Sequence, residues 1–221
     1  MAIEAEFKAV VRDPEGVLKQ LEQQYGVGRA EVYRDTYYDA PDGGLMGADR
    51  ELRIRTVHGP EDTRTVLTYK GARVDEASGS KPEAETRVED ADAMHEIVRG
   101  LGFVPRIAFE KRCRNYSFQR DGQRLLATLV RVPELDDATF IEVETSAATE
   151  DELAPALTLV RAVLTELGID EDDLTTELYT DAVAAADYCL VSARRASMNH
   201  ANTGARLGGT GHPLMTARRC Q

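Results

Sequence analysis

The chain has 221 residues, of which 42% are apolar, which is enough for the core of one large domain or two small ones. A net charge of −12 argues against a nucleic-acid partner, because duplex binding depends on neutralising phosphates with basic side chains. No apolar run reaches the length of a membrane span, and three cysteines without metal-type spacing favour a reducing, cytoplasmic location. The chain starts with a patterned strand, which predicts no signal or transit peptide.

Charge divides the chain near residue 185. Residues 1–184 hold 22 Lys and Arg against 38 Asp and Glu, whereas residues 185–221 hold five Arg and one Asp. The second stretch also lacks hydrophobic periodicity and is rich in Gly, Ser and Asn. We therefore predict a domain at 1–184 and a basic, disordered C-terminal tail at 185–221.

The first predicted strand, 2–12, has two different faces, because side chains alternate along a strand. The odd positions Ile3, Ala5, Phe7, Ala9 and Val11 are all apolar. The even positions Glu4, Glu6 and Lys8 place charged groups in a line, roughly 6–7 Å apart. The apolar face predicts contact with a dry layer. The charged face belongs either to a solvated surface or to the inner wall of a polar barrel.

The remaining elements follow from hydrophobic periodicity and from turn residues. Further strands are predicted at 30–39, 50–57, 64–70, 83–89, 107–118, 123–132 and 139–145. Helices are predicted after the N-caps Asp13 and Asp90, after a capping box at 149–152, and from about 173 to 186. The Gly- and Ser-rich stretch 71–82 is predicted to be a mobile loop.

The order of these elements indicates the fold class. Eight strands show two-faced alternation, and Asp121-Gly122 is a strong hairpin signal between two of them. We therefore predict an α+β fold in which an eight-stranded, mostly antiparallel β-barrel is braced by helices.

Charged residues recur on one face of several predicted strands. They are Glu4, Glu6 and Lys8, then Arg53 and Arg55, Lys70, Glu85 and Arg87, and Glu142 and Glu144, with Lys111, Arg112 and Arg114 on the sixth strand. Antiparallel strands usually have one solvated face, and that interpretation remains open for each strand. The alternative is a barrel interior that binds cations and polyphosphate together, because carboxylates hold Mg²⁺ or Mn²⁺ and Arg or Lys holds phosphate.

The ordered series of motifs resembles the CYTH superfamily, the triphosphate tunnel metalloenzymes. Glu4-x-Glu6-x-Lys8 matches the hallmark of that family in identity, spacing and position. The other matches are Tyr37-Tyr38-Asp39, Leu52-Arg53-Ile54-Arg55, Leu67-Thr68-Tyr69-Lys70-Gly71, Glu85, Lys111, Phe140-Ile141-Glu142-Val143-Glu144 and Tyr179-Thr180-Asp181. The resemblance covers about residues 1–184 and is greatest to class IV adenylyl cyclases of the CyaB type.

The resemblance implies an eight-stranded antiparallel tunnel that binds a triphosphate with Mg²⁺ or Mn²⁺, and it implies roles for individual residues. Glu4, Glu6, Glu142 and Glu144 would be the metal ligands. Lys8, Arg53, Arg55, Lys70 and Lys111 would bind phosphate, with Arg112 or Arg114 as further candidates. Glu6, Lys8 and the wall residue Glu85 would be the catalytic candidates.

Two positions depart from the family pattern. Cys113 stands where the family has an Arg, so Arg112 or Arg114 would face the tunnel only if a bulge shifted the register. The seventh strand, with Ala127-Thr128-Leu129-Val130, lacks the Asp that helps the family to bind metal. This departure weakens the expectation of a two-metal site.

Several functions fit the resemblance, and conversion of ATP to cyclic AMP and pyrophosphate is the leading one. A triphosphatase acting on thiamine triphosphate or inorganic triphosphate would use the same residues. The missing Asp leaves two further alternatives: an enzyme for another organic diphosphate such as a prenyl diphosphate, and a sensor that binds nucleotide or polyphosphate without catalysis. The expected partner is a small triphosphate or diphosphate, with no nucleic acid and no membrane. The resemblance also suggests a homodimer.

Overall fold

The computed structural model describes residues 1–188, and its first unit is Met1–Glu177. The strands of this unit are β1 (Ala2–Val10), β2 (Arg29–Asp39), β3 (Glu51–His58), β4 (Thr63–Lys70), β5 (Lys81–Val88), β6 (Val104–Arg120), β7 (Gln123–Val132) and β8 (Ala138–Ala147). Its α-helices are α1 (Pro14–Tyr25), α2 (Ala91–Gly100) and α3 (Glu150–Glu166). Single 3₁₀ turns occur at Met46–Ala48, Pro133–Leu135 and Glu171–Asp173.

The eight strands close into a barrel in the order β1-β5-β4-β3-β2-β6-β7-β8. Every neighbouring pair is antiparallel, including the pairs of β1 with β5 and with β8 that close the ring. This arrangement confirms the predicted barrel and fold class. Closure also leaves no strand edge without a partner.

Helix α3 packs on the outside of β1 and β8, and α1 packs on the outside of β6, which identifies the outward face of these strands. The apolar residues of β1 join one cluster with residues of β8, α1 and α3, namely Phe7, Ala9, Ile141, Val143, Val17, Leu21, Val160, Val163 and Leu164. Burying each large side chain of this cluster contributes about 1.5–3 kcal/mol. Because the odd positions of β1 face the helices, its even positions face the inside of the barrel.

The predicted N-cap of α1 is present in the structure, whereas the capping box predicted at the start of α3 is not formed. The side chain of Asp13 accepts a bond from the Gly16 N–H at 3.0 Å, and Gly26 ends α1 with a φ of 78°. At α3, Thr149 makes no side-chain capping bond, and Glu152 accepts from the Ala148 N–H instead. A reciprocal capping box instead joins Asp170 and Asp173 at the last 3₁₀ turn.

The structure corrects two predicted segments, the last helix and the loop between β4 and β5. The helix predicted from about 173 begins later, because the Asp170 capping box closes a single turn and the chain then runs extended beside β1. There the Thr175 N–H donates to the Lys8 carbonyl, and Leu174 bridges Ala9. The predicted loop 71–82 is shorter, since β5 begins at Lys81, and its turn is held by bonds such as the Val74 N–H to the Ser80 carbonyl.

The second unit is Leu178–Gln221, in which residues 179–188 are helical. Residues 189–221, on which most of the predicted tail falls, lie outside the described residues. Within the described part of the chain, no helix has both the length and the apolar character needed to cross a bilayer.

Candidate active site

The register of the barrel places most of the predicted site residues on one inner surface. Residues directly opposite each other on paired strands point to the same face. Glu6 lies opposite Glu144, and Lys8 lies opposite Glu142. Around the barrel, the inward positions also include Arg53, Arg55, Lys70, Glu85 and Lys111, as the strand pairings from β2 to β6 require. The charged faces that the sequence shows therefore line a shared interior.

Three carboxylates form an acidic cluster, which we define as Glu4, Glu6 and Glu144. Each offers an oxygen within 4.8 Å of the oxygens of the other two. Burial raises the pKa of Glu6 to about 7, with further contributions from the charges of Glu4 and Glu142. Burial, together with Glu4 and Glu6, also raises the pKa of Glu144 well above its usual value. The cluster therefore holds like charges that repel each other unless a cation or a proton joins them.

Lys70 links this cluster to the basic part of the tunnel. Its ammonium donates to Glu4 and lies 3.2 Å from a carboxylate oxygen of Glu83. Burial opposes the Lys70 charge, but Glu4 and Glu83 outweigh burial and raise the pKa of Lys70 well above its usual value. The pKa of Glu4 is nevertheless raised, because its burial outweighs the attraction of Lys70. One ammonium thus does not neutralise the acidic cluster.

The basic part of the tunnel contains two arginines of β3 that differ in their hydrogen-bond partners. Arg53 donates from Nη2 to the Thr68 hydroxyl at 3.1 Å, and that hydroxyl donates to Glu85 at 2.9 Å. The Nε of Arg53 is buried and has no acceptor among the described residues. Arg55 instead makes two bonds to Asp35, at 2.6 and 2.7 Å. A buried donor without an acceptor is costly, so Arg53 is a natural binding point for an anion.

The other two lysines of the predicted site, Lys8 and Lys111, both lie close to Glu142. Lys111 donates to Glu142 at 3.1 Å, and the Lys8 ammonium donates to the backbone carbonyl of Glu177. Burial lowers the pKa of Lys8, although Glu6 and Glu142 act in the opposite direction. Glu142, predicted as a metal ligand, therefore lies on the tunnel wall beside the acidic cluster and pairs with a lysine.

An open cavity of about 740 Å³ leads from the acidic cluster toward the end of the barrel where β1 begins. Its lining includes Glu4, Glu144 and the wall residue Glu85, together with Arg87 of β5 and Asn115 of β6. The carboxylate of Glu85 is 44% exposed, which fits its position in this wide part of the tunnel. The cavity has the size of a typical small-molecule site.

The structure corrects the expectation for Arg112 and Arg114. Lys111, Cys113 and Asn115 occupy the inward positions of β6, and the one irregularity in its pairing with β2 lies at Tyr37/Tyr38, away from this stretch. Arg112 and Arg114 therefore face outward, where they pair with Glu110 and with Glu22 of α1. A bulge would have been needed to turn either residue inward.

The wall formed by β6 and β7 carries little charge beside the acidic cluster. Cys113 is buried there, and burial raises the pKa of its thiol to about 12, so it is a neutral group. On β7, the inward positions opposite Glu144, Glu142 and Phe140 are Leu126, Thr128 and Val130. This part of β7 therefore adds no carboxylate to the acidic cluster.

The sequence interpretation missed charged residues that complete the tunnel. Asp35 lies opposite Arg55, and Glu31 accepts two bonds from Arg64 at 2.7 and 2.9 Å. Lys81 bonds to Glu51 at 2.8 Å. The signal was present, since Glu31, Tyr33 and Asp35 alternate along β2 as Glu4, Glu6 and Lys8 do along β1. The predicted strand began at Glu83, so Lys81 was assigned to the preceding loop and left out of the charged face of β5.

A family model for the CYTH domain matches residues 2–179, which is most of the chain. The chain belongs to the CYTH domain family. This CYTH protein is 29% identical over 182 residues, 81% of its length and 97% of the relative's, to a Methanocaldococcus jannaschii protein named "Putative adenylate cyclase MJ0240". It is 28% identical to the PH1819 protein of Pyrococcus horikoshii, with a TM-score of 0.73 over 82% of this chain and 98% of the other.

A third comparison shows how widely the fold of this CYTH protein is shared. It resembles a Hippeastrum protein, "Putative adenylyl cyclase HpAC1", with a TM-score of 0.57 over 84% of this chain and 96% of the other. The name of that structure attributes a dominant triphosphatase activity to HpAC1. Identity between the two is 16%, so this likeness concerns the fold alone.

Proposed function

We propose that this CYTH protein is a divalent-metal-dependent enzyme that acts on a nucleoside triphosphate, with conversion of ATP to cyclic AMP and pyrophosphate as the leading reaction. One observation carries the proposal: the acidic cluster, with Lys70 bonded to Glu4, lies in the same tunnel as Arg53, whose buried Nε has no acceptor among the described residues. Carboxylates and cations arranged in this way suit a ligand that brings both metal and phosphate. The name of the archaeal relative supports the same reaction class.

The acidic cluster fits a hard divalent cation. All three side chains offer oxygen ligands, and burial together with neighbouring carboxylates raises their pKa values, which a bound cation would counteract. Glu142 would support this site from the next inward position of β8 rather than complete it. When bound, Mg²⁺ or Mn²⁺ supplies positive charge to phosphate oxygens and lowers the pKa of a nearby hydroxyl. We assign no second metal, because the facing part of β7 adds no carboxylate.

The basic residues would bind and orient the phosphate chain. Arg53 offers a buried donor without an acceptor, and Lys70 and Lys111 bring ammonium groups from two other strands. In a cyclase, the 3′-oxygen of ribose forms a bond to the α-phosphorus while the bond to pyrophosphate breaks. Cations that are held in place before the reaction stabilise the charge on the departing pyrophosphate without reorganisation. Glu6, Lys8 and Glu85 stay our candidates for direct catalytic roles.

The cavity beside the acidic cluster could bind the nucleoside part of the substrate. Because Glu4 and Glu144 belong to its lining, a nucleoside in the cavity would have its ribose close to those carboxylates. Such proximity is what a cyclase needs, since the attacking hydroxyl belongs to the substrate itself.

A triphosphatase is the second candidate, and one observation favours it. The part of β7 opposite Glu144 and Glu142 is neutral, which leaves fewer groups there to activate a ribose hydroxyl, whereas hydrolysis at the γ-phosphate needs no group on the sugar. HpAC1, which shares the fold, carries that activity in its name. The residues assigned above would serve both reactions.

The test is to incubate the protein with ATP and Mn²⁺ or Mg²⁺ and to measure cyclic AMP, pyrophosphate and orthophosphate separately. Cyclic AMP in equal amount to pyrophosphate supports the cyclase, and orthophosphate without cyclic AMP supports the triphosphatase. Glu144→Gln should remove either activity, while Arg112→Ala, on the outside of the same barrel, should retain it. Absence of every product with ATP, thiamine triphosphate and inorganic triphosphate would refute the proposal.

A further inference from the structure

We infer that Asp35 is a positioning residue for phosphate binding, which acts by holding the guanidinium of Arg55 in one orientation on the tunnel wall. The inference rests on the proposed function, because it concerns the same basic residues. Asp35 lies on β2, outside both the acidic cluster and the motifs that carry the family resemblance.

The contact between the two side chains is bidentate and buried. Asp35 accepts from Nε of Arg55 at 2.6 Å and from Nη2 at 2.7 Å. The carboxylate of Asp35 is fully buried, and the side chain of Arg55 is 14% exposed. Paired bonds of this kind fix the plane of a guanidinium as well as its position.

Tyr33 restricts the same guanidinium from a second direction. The central carbon of Arg55 lies 4.5 Å from the centre of the Tyr33 ring. The hydroxyl of Tyr33 accepts from the Asn115 amide at 2.7 Å, which holds the ring in place. Arg55 therefore has one edge on a carboxylate and one face on an aromatic ring, and its Nη1 edge makes no bond to either of them.

Arg53, on the same strand, has no bidentate partner among the described residues. It donates to the Thr68 hydroxyl, its Nη2 lies 3.9 Å from a carboxylate oxygen of Glu85, and its buried Nε has no acceptor among the described residues. Arg53 is thus bound weakly by the protein and suited to capture an anion. Arg55 is preorganised, so it loses little conformational freedom when a phosphate arrives.

The direction in which Asp35→Asn changes the affinity for triphosphate distinguishes a positioning role from a purely electrostatic one. Asp35→Asn removes a negative charge from a tunnel that is proposed to bind a polyanion, and charge alone would make that binding tighter. If Asp35 instead orients Arg55, the variant should bind inorganic triphosphate more weakly, by about tenfold, because a displaced guanidinium loses its charge-assisted bond.

The experiment is a double-mutant cycle measured by calorimetry with inorganic triphosphate and Mn²⁺ on the full chain. Asp35→Asn and Arg55→Lys should each weaken binding, and the double variant should bind about as weakly as Arg55→Lys alone. Additive losses, or unchanged or tighter binding by Asp35→Asn, would overturn the inference. If the wild-type protein itself does not bind the probe, the proposed function fails instead.

Glu166 of α3 also makes a bidentate pair with an arginine, Arg120, with both bonds at 2.7 Å, but this pair lies outside the barrel. Glu166→Gln is therefore the matched control for the loss of a carboxylate that pairs with an arginine. It should leave triphosphate affinity unchanged, and an equal loss in both variants would overturn the inference. If Asp35→Asn does not fold, Tyr33→Leu serves in its place and should weaken binding about threefold, whereas unchanged affinity would overturn the inference.

Discussion

The acidic cluster and the Asp35–Arg55 pair are both buried in the same tunnel, yet their carboxylates have opposite chemistry. In the acidic cluster, burial and like-charged neighbours raise the pKa of all three side chains. At Asp35, burial also acts to raise the pKa, but the adjacent Arg55 outweighs it and lowers the value to about 2. All of these carboxylates are buried, so burial alone does not decide the direction of the pKa shift. The charge of the neighbouring side chains decides it: carboxylates beside other carboxylates can bind a cation, whereas Asp35 is already paired with Arg55.

The largest change in activity that we predict follows substitution of Glu144 in the acidic cluster. Glu144→Gln should lower the metal-dependent activity at least about 100-fold, because one of the three converging ligands is lost. The same change should raise the melting temperature of the metal-free protein, since it removes a like charge from a buried cluster. Rate measurements with Mn²⁺ and thermal melts in a chelator test the two parts, and a lower melting temperature would contradict the repulsion that we describe.

At Asp35 the same kind of change should have the opposite effect on stability. Asp35→Asn should lower the free energy of unfolding at pH 7 by about 2 kcal/mol, since the pKa falls from 3.8 to about 2 on folding. A depressed pKa stabilises the fold above about pH 4, and this contribution disappears as the pH falls through about 2. Urea titrations at several pH values check the prediction, because the variant should show a shallower loss of stability on acidification than the wild type.

A variant of Arg53 tests the difference between the two arginines of β3, of which only Arg55 makes a bidentate pair with a carboxylate. Arg53→Lys should weaken binding of inorganic triphosphate about tenfold, because lysine keeps the charge but loses the planar donor group. Binding in the presence of Mn²⁺ can be followed by the rise in melting temperature on adding the ligand. A rise equal to that of the wild type would mean that the buried Nε of Arg53 does not take part in binding.

The smallest effects are expected outside the barrel. Arg112→Ala and Arg114→Ala should leave activity unchanged and alter the free energy of unfolding by no more than about 0.5 kcal/mol, because both residues make exposed ion pairs. Initial rates and chemical denaturation measure these quantities. A large loss of activity in either variant would show that β6 turns one of these arginines into the tunnel.

The sequence was informative wherever alternation along a strand coincided with charge. Glu4, Glu6 and Lys8 were predicted to share a face, and they line the tunnel as expected. The bounds of β7 were predicted without error. At β6, alternation places Lys111 and Cys113 on the inner face, and the structure has no bulge there that would turn Arg112 or Arg114 inward.

Residues that act through partners far along the chain were harder to predict. Asp35 and Arg55 are 20 positions apart, and the sequence around Asp35 gives no signal that its carboxylate will pair with an arginine of β3. Lys70 and Glu4 are separated by 66 positions, and they meet because the barrel brings β4 and β1 to either side of β5. The predicted start of the last helix was wrong for the same reason, because the chain after Asp173 is held by a bond to β1.

The sequence by itself determined the number of strands, the two-faced character of each and the types of group that the interior contains, because a period of two is a local property. Only the tertiary structure decided which carboxylates crowd together and which meet an arginine. Closure of the barrel sets the register between distant strands, and that register sets the distances on which charge, pKa and binding depend.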